Sequence, residues 1–117
     1  MPKGDPTLLE ERAARLRGLL EKDPDDEACW FGLGRALLDL SRPDEAVTAL
    51  RRAIACKGDY TAAHRDLGRA LLESGASVEA AEVFARAISL AEKTGDIQTG
   101  REIHVFLRRA EKQIDSA

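Results

Sequence analysis

Leu33-Gly34-Arg35-Ala36-Leu37-Leu38 returns unchanged as Leu67-Gly68-Arg69-Ala70-Leu71-Leu72, 34 residues further along the chain. Outward from the first copy the sequence reads Trp30-x2-Leu33-Gly34-x2-Leu37, then Ala46-x3-Leu50 and Ala53. The second reads His64-x2-Leu67-Gly68-x2-Leu71, then Ala80-x3-Phe84 and Ala87. Each copy holds two runs of apolar residues at helical spacing, separated by turn formers: Ser41-Arg42-Pro43 in one, Ser74-Gly75-Ala76-Ser77 in the other. The pattern predicts two antiparallel helices per copy. A fixed period of this length marks a unit that cannot bury its apolar face until neighbours stack on it. The expected fold is therefore all-α, a short α-solenoid of antiparallel helix pairs.

Glycine inside a helix costs about 1 kcal/mol relative to alanine, so Gly34 and Gly68 at matching positions need a compensating reason. Close approach of the paired helices supplies one. Ala46 and Ala80 would let the backbones of each pair come together, with Leu33, Leu37, Leu50 and their equivalents filling the space beside them.

This pattern resembles the tetratricopeptide repeat family, whose 34-residue signature runs aromatic, Leu-Gly, aromatic, then Ala, Phe, Ala and Pro. The resemblance covers residues 27–94 as two full units, 27–60 and 61–94. Leu37 and Leu71 stand where the family prefers tyrosine, His64 replaces the large aromatic, and Gly58 and Glu92 replace the closing proline.

The whole chain, residues 1–117, has one domain's length, and 44% apolar with 33% charged content suits a soluble globular protein. Before the repeats, Leu9, Ala13, Leu16 and Leu20 trace a helix over 7–22, ended at Asp23-Pro24. Pro24 falls where the family's closing proline belongs, so this helix resembles the second half of a unit. Asp25, Asp26 and Glu27 cap the helix that follows. After the repeats, Glu92-Lys93-Thr94-Gly95-Asp96 forms a break, and Ile97, Ile103, Leu107, Ala110 and Ile114 carry a capping helix over 96–115. That helix resembles a first half, with Ile103 in the leucine slot after a slip of two residues. Six helices are expected: half unit, two units, half unit.

Several function classes find no support. The first residues lack the apolar run of a signal peptide, and no segment approaches a membrane span, so a cytoplasmic location without membrane contact is expected. A net charge of −3 argues against nonspecific nucleic-acid binding, and Arg51-Arg52 and Arg108-Arg109 read as solvated helix faces. Cys29 and Cys56 would lie near opposite ends of one helical pair as small buried thiols rather than a redox couple. With His64 they supply at most three metal ligands, and Asp23, Asp25 and Asp26 lack the pattern of a calcium loop. Neither His64 nor His104 stands beside a nucleophile at a suggestive spacing, and Gly32-Leu33-Gly34 lacks the lysine of a phosphate loop. No catalytic residue, metal or cofactor is expected.

The remaining candidates do not fall on packing positions. Arg35, Leu38 and Asp39 on one first helix recur as Arg69, Leu72 and Glu73 on the next. By the resemblance these residues lie on the concave groove that holds peptides, together with Ala28, Phe31, Ala62 and Arg65. The family's lysine and asparagine clamp for a peptide carboxylate is not reproduced, but arginine forks also take carboxylates. The resemblance thus implies a noncatalytic adaptor or scaffold that binds a protein segment with acidic and apolar side chains. Two other readings stay open. Arg35–Asp39 and Arg69–Glu73 stand at i, i+4 spacing, where an ion pair adds only about 0.2–0.5 kcal/mol to the helix. A homodimer, a self-associating structural subunit or assembly chaperone component, would cover exposed apolar positions such as Phe31 and Phe106 with a second copy.

Overall fold

The computed structural model describes residues 3–117. Six helices follow one another, α1 (Pro6–Lys22), α2 (Glu27–Asp39), α3 (Pro43–Cys56), α4 (Thr61–Glu73), α5 (Ser77–Thr94) and α6 (Ile97–Ser116), with no strand among the described residues. They form two compact units, one of α1–α3 ending at Gly58 and one of α4–α6 beginning at Asp59.

In the first unit α1 starts where Asp5 accepts the Thr7 N–H at 2.9 Å and Pro6 occupies the first turn. α2 starts where Asp26 accepts the Cys29 N–H at 3.0 Å. Two glycines of α2 serve two neighbours. A Cβ on Gly32 would stand 3.3 Å from Leu16 of α1, whereas one on Gly34 would stand 2.6 Å from Cγ and Cδ2 of Leu50 on α3. Trp30 meets Arg52 and Gly34 meets Leu50, so residue numbers rise on α2 as they fall on α3, which makes the pair antiparallel. The Trp30 indole N–H donates to the Pro24 carbonyl at 2.7 Å, and the Arg52 guanidinium lies 5.1 Å from the ring centroid. Ion pairs Arg17–Glu45, at 3.6 Å, and Arg42–Glu10 join α1 to α3 at an exposed surface, where such pairs contribute little.

The two repeats turn the chain in the same way. Leu40, Ser41 and Arg42 donate their N–H groups to Ala36, Leu38 and Leu37, and Ser74, Gly75 and Ala76 donate to Ala70, Leu72 and Leu71. The bond reaching back five residues closes the helix in the Schellman manner, which requires a left-handed residue just before its donor. Ser41 at φ 61° and Gly75 at φ 92° fill that place.

In the second unit Thr94 and Thr61 hydroxyls lie 3.3 Å apart, tying the end of α5 to the start of α4. Phe84, fully buried, is the counterpart of Leu50, and a Cβ on Gly68 would stand only 2.2 Å from its ring. The sequence expectation for the glycines needs correcting here. What they make room for is a large side chain from the facing helix, not the approach of its backbone. α5 has 18 residues against 14 in α3: Glu92, a better helix former, stands where the first repeat has Gly58, and Gly95 at φ 75° ends the helix instead. Asp96 then caps α6, accepting the Thr99 N–H at 3.1 Å, and Ile103 is fully buried. α6 runs antiparallel to α5, with Phe106 stacked on Phe84 at 5.9 Å and Ser77 bonded to Gln113 at 2.7 Å. It also lies parallel beside α4, since Arg65 meets Glu102 and Arg69 meets Phe106.

Candidate binding face

The sequence-derived candidates are of unequal standing once placed. On α2, Phe31 and Arg35 are half-buried, with the Arg35 guanidinium 5.9 Å from the Phe31 ring centroid. Ala28 is exposed and Asp39 is half-buried, its carbonyl accepting the Lys3 N–H at 2.7 Å. Leu38 retains only 6% of its surface, so it is a core residue rather than a side chain offered to a ligand.

On α4, Arg65 is not a free guanidinium fork. Its Nε donates to Asp66 Oδ1 at 2.9 Å and a terminal nitrogen donates to Glu102 Oε1 at 3.2 Å, leaving its side chain 11% exposed. Burial alone draws the Arg65 pKa down, but the hydrogen bonds and charges of Asp66 and Glu102 outweigh it and hold the pKa above the ordinary value. Asp66 is itself fully buried, and leaving either charge alone would cost about 3–5 kcal/mol. Arg65 therefore belongs to the internal structure of the unit.

Arg69 is only a little more open, its side chain 17% exposed. A terminal nitrogen lies 3.5 Å from Asp66, in place of the i, i+4 pairing with Glu73 that the spacing suggested, and its guanidinium stands 5.2 Å from the Phe106 ring centroid. Arg109 stands 5.3 Å from the same centroid. Phe106, read from sequence as exposed, is half-buried between these arginines and Phe84. Leu72 is half-buried, Ala62 likewise, and Glu73 is exposed. Val105, 51% exposed, adds apolar surface on the same side of α6. The result is a face of two parallel helices that carries an aromatic ring, two guanidinium groups and a carboxylate, Glu102.

Asp66 and Glu102 were not singled out in the sequence, and Phe106 and Arg109 were read there only as an exposed apolar position and part of a solvated helix face, not as groove residues. Glu102 and Phe106 stand four apart, as Arg65 and Arg69 do, and both pairs meet at one common offset. That signal becomes readable only when α6 is known to lie parallel to α4.

The cysteines are free and half-buried. Burial pushes the Cys29 thiol above its ordinary pKa, and the Asp26 carboxylate pushes the same way, so Cys29 stays a thiol and a poor nucleophile at neutral pH. No group of three or more potential metal ligands converges among the described residues, and no helix there is long and apolar enough to cross a membrane.

The description of the tetratricopeptide repeat matches residues 11–60 and, in a second overlapping placement, residues 38–97. This chain belongs to the tetratricopeptide repeat family. Solved structures agree on the fold. The TPR2B domain of yeast Sti1, in complex with pHsp70, is 18% identical, with 92% of this chain and 86% of that chain aligned at a TM-score of 0.86. SycD, the type III secretion translocator chaperone of Yersinia enterocolitica, is 15% identical over 93% of this chain and 76% of its own, at a TM-score of 0.85. Protein BPP2914 of Bordetella parapertussis is 29% identical over 86% of this tetratricopeptide repeat chain and 88% of its own, at 0.76. No curated protein matches the sequence.

Proposed function

We propose that this tetratricopeptide repeat protein is a noncatalytic interaction module that holds a segment of another protein against the α4–α6 face. The carrying observation is the Arg69–Phe106–Arg109 cluster, in which two guanidinium groups flank one half-buried ring at 5.2 and 5.3 Å. Such a surface attracts carboxylates through the arginines and apolar side chains through the ring and Val105. The preferred segment carries acidic and apolar residues in alternation or on one helical face. Phe31 and Arg35 on α2 are the same chemistry in the first unit, and Leu72 and Glu73 border the cluster on α4. Two structurally similar proteins, by their titles a domain in complex with pHsp70 and a translocator chaperone, support a role in handling other proteins.

The test is titration of the chain with a fluorescently labelled peptide library that varies acidic and apolar content, read by anisotropy. Arg109→Glu is the informative variant, because Arg109 is exposed and its reversal leaves Arg65, Asp66 and Glu102 in place. The expected result is a preference for acidic, apolar peptides, weakened about tenfold or more by Arg109→Glu, with unchanged helical content. Peptides bound equally well by the variant would refute this face as the binding site.

A further inference from the structure

The α4–α6 face carries its charges in a fixed order. Along α6, Glu102, Phe106 and Arg109 follow one another at spacings of four and three, which puts them on one side of the helix, roughly 10 Å from first to last. The other charges there are already paired. Arg65 and Arg69 both reach Asp66, at 2.9 and 3.5 Å, and Arg65 also reaches Glu102 at 3.2 Å, so two cations and two carboxylates balance. Arg109 enters no ion pair among the described residues, and the Glu102 side chain stays 41% exposed. The remaining arginines of α6 turn elsewhere: Arg101 borders a hollow against α5, and Arg108, two residues on from Phe106, lies nearly opposite it on the helix.

One stretch of this chain carries the complementary order on an exposed stripe. Asp5, the cap of α1, stands three residues before Leu8, and Leu8 four before Arg12; all three are exposed, Leu8 at 63%. α1 does not use this stripe inside its own unit, where Ala13 and Leu20 are buried and Leu16 packs against Gly32 of α2. One Asp5 oxygen accepts the Thr7 N–H at 2.9 Å. Arg12 enters no ion pair among the described residues, and its guanidinium rests beside Gly32, from where its long side chain can swing outward.

Laid antiparallel along α6, the stripe brings Asp5 to Arg109, Leu8 to Phe106 and Arg12 to Glu102 in a single register, because both helices step by three and then four. The parallel direction would set Asp5 against Glu102 and Arg12 against Arg109, so charge selects one orientation. Val105, 51% exposed, widens the apolar contact around Leu8. Lys3, exposed ahead of Asp5, would arrive level with the exposed Glu73 of α4. We infer that α1 of a second copy of this chain occupies the α4–α6 face, so that the protein covers its own binding site by self-association and an acidic, apolar partner has to displace that cover. The inference rests on the reading of this face as a binding site and names its resident competitor. Part-exposed ion pairs around one leucine make a weak contact, as a displaceable cover requires.

Sedimentation velocity of the full chain from about 10 μM to 1 mM should show reversible association, weakened about tenfold or more by Arg109→Glu, by Asp5→Lys and by Leu8→Ser. Leu8→Ser leaves the Asp5 cap in place, which separates loss of contact from fraying of α1. The decisive sample mixes the Arg109→Glu chain with the Asp5→Lys chain. Each alone opposes like charges across the contact, whereas the mixture joins opposite charges in one direction and the parent residues in the other, so association should return. An acidic, apolar peptide should dissociate the parent assembly. A chain that stays monomeric throughout while binding peptide through Arg109 would overturn the inference and leave the reading of the face intact; one that binds neither would remove both. Association indifferent to the three variants, association not restored by mixing, or peptide that binds without dissociating the copies would each overturn it too.

Discussion

Gly68 shows how a residue can matter for what it lacks. Alanine there would gain about 1 kcal/mol of helix propensity, yet its methyl would stand 2.2 Å from the ring of a fully buried phenylalanine. Overpacking of this kind costs about 1–3 kcal/mol, so Gly68→Ala should lower stability, and Gly34→Ala less, because Leu50 can shift its branched end where Phe84 cannot. Thermal melts of both variants decide it. A double-mutant cycle with Phe84→Leu should show coupling, the pair losing less than the two single changes together. Ser41 and Gly75 give opposite signs. Ser41→Gly removes a left-handed strain of about 1 kcal/mol and should stabilise, whereas Gly75→Ala introduces it and should destabilise by a similar amount. Both effects are readable in urea midpoints. Acid titration isolates Asp26, whose pKa is lowered chiefly by the Cys29 backbone hydrogen bond, then by the Cys29 side chain. A carboxyl group with a lowered folded pKa stabilises fully above its unfolded value, ordinarily near 3.8, and the contribution disappears as pH falls through the folded value. Asp26→Ala should therefore lose stability at neutral pH, with the difference from the parent chain shrinking below about pH 4; a gap that stays constant into acid would show that the charge is immaterial.

At the scale of elements, α6 has the most work to do. It covers Phe84 with Phe106, buries Ile103 against the rest of its unit, and supplies Glu102 to Arg65. Deleting residues 97–117 should expose that apolar surface and leave Arg65 short of a carboxylate, so the truncated chain should aggregate or unfold without cooperativity, as scattering and calorimetry would show. A truncated chain that remains monomeric with an unchanged transition would make α6 an appendage. The helices themselves were legible in sequence, because caps, prolines and apolar spacing are local: α2 and α3 were readable from Asp26, Pro43 and the Leu33–Leu50 pattern. Ile103 was legible too as a core residue of the last helix, and it is fully buried. What stayed hidden was tertiary. Nothing local shows that Asp66 is buried, or that Arg65 spends its guanidinium on Asp66 and Glu102, because the repeat places Gly32 at the corresponding position of the first unit and offers no precedent.

For the molecule as a whole, a net charge of −3 coexists with an arginine-flanked ring, so the proposed preference for acidic segments would have to come from local arrangement rather than overall charge. Raising the ionic strength from about 0.05 to 0.5 M should weaken peptide binding at the α4–α6 face, because the screening length falls to a few ångströms and Arg109 is exposed. Affinity that rises with salt would instead point to apolar contact alone. Trp30 has a further use. It is the sole tryptophan, held in the first unit by the Pro24 carbonyl and Arg52, while Tyr60, the sole tyrosine, belongs to the second. Each half of the protein thus carries its own intrinsic chromophore. Emission excited at the red edge, where tyrosine is dark, follows the melting of one half, and near-ultraviolet tyrosine bands follow the other, with no label attached.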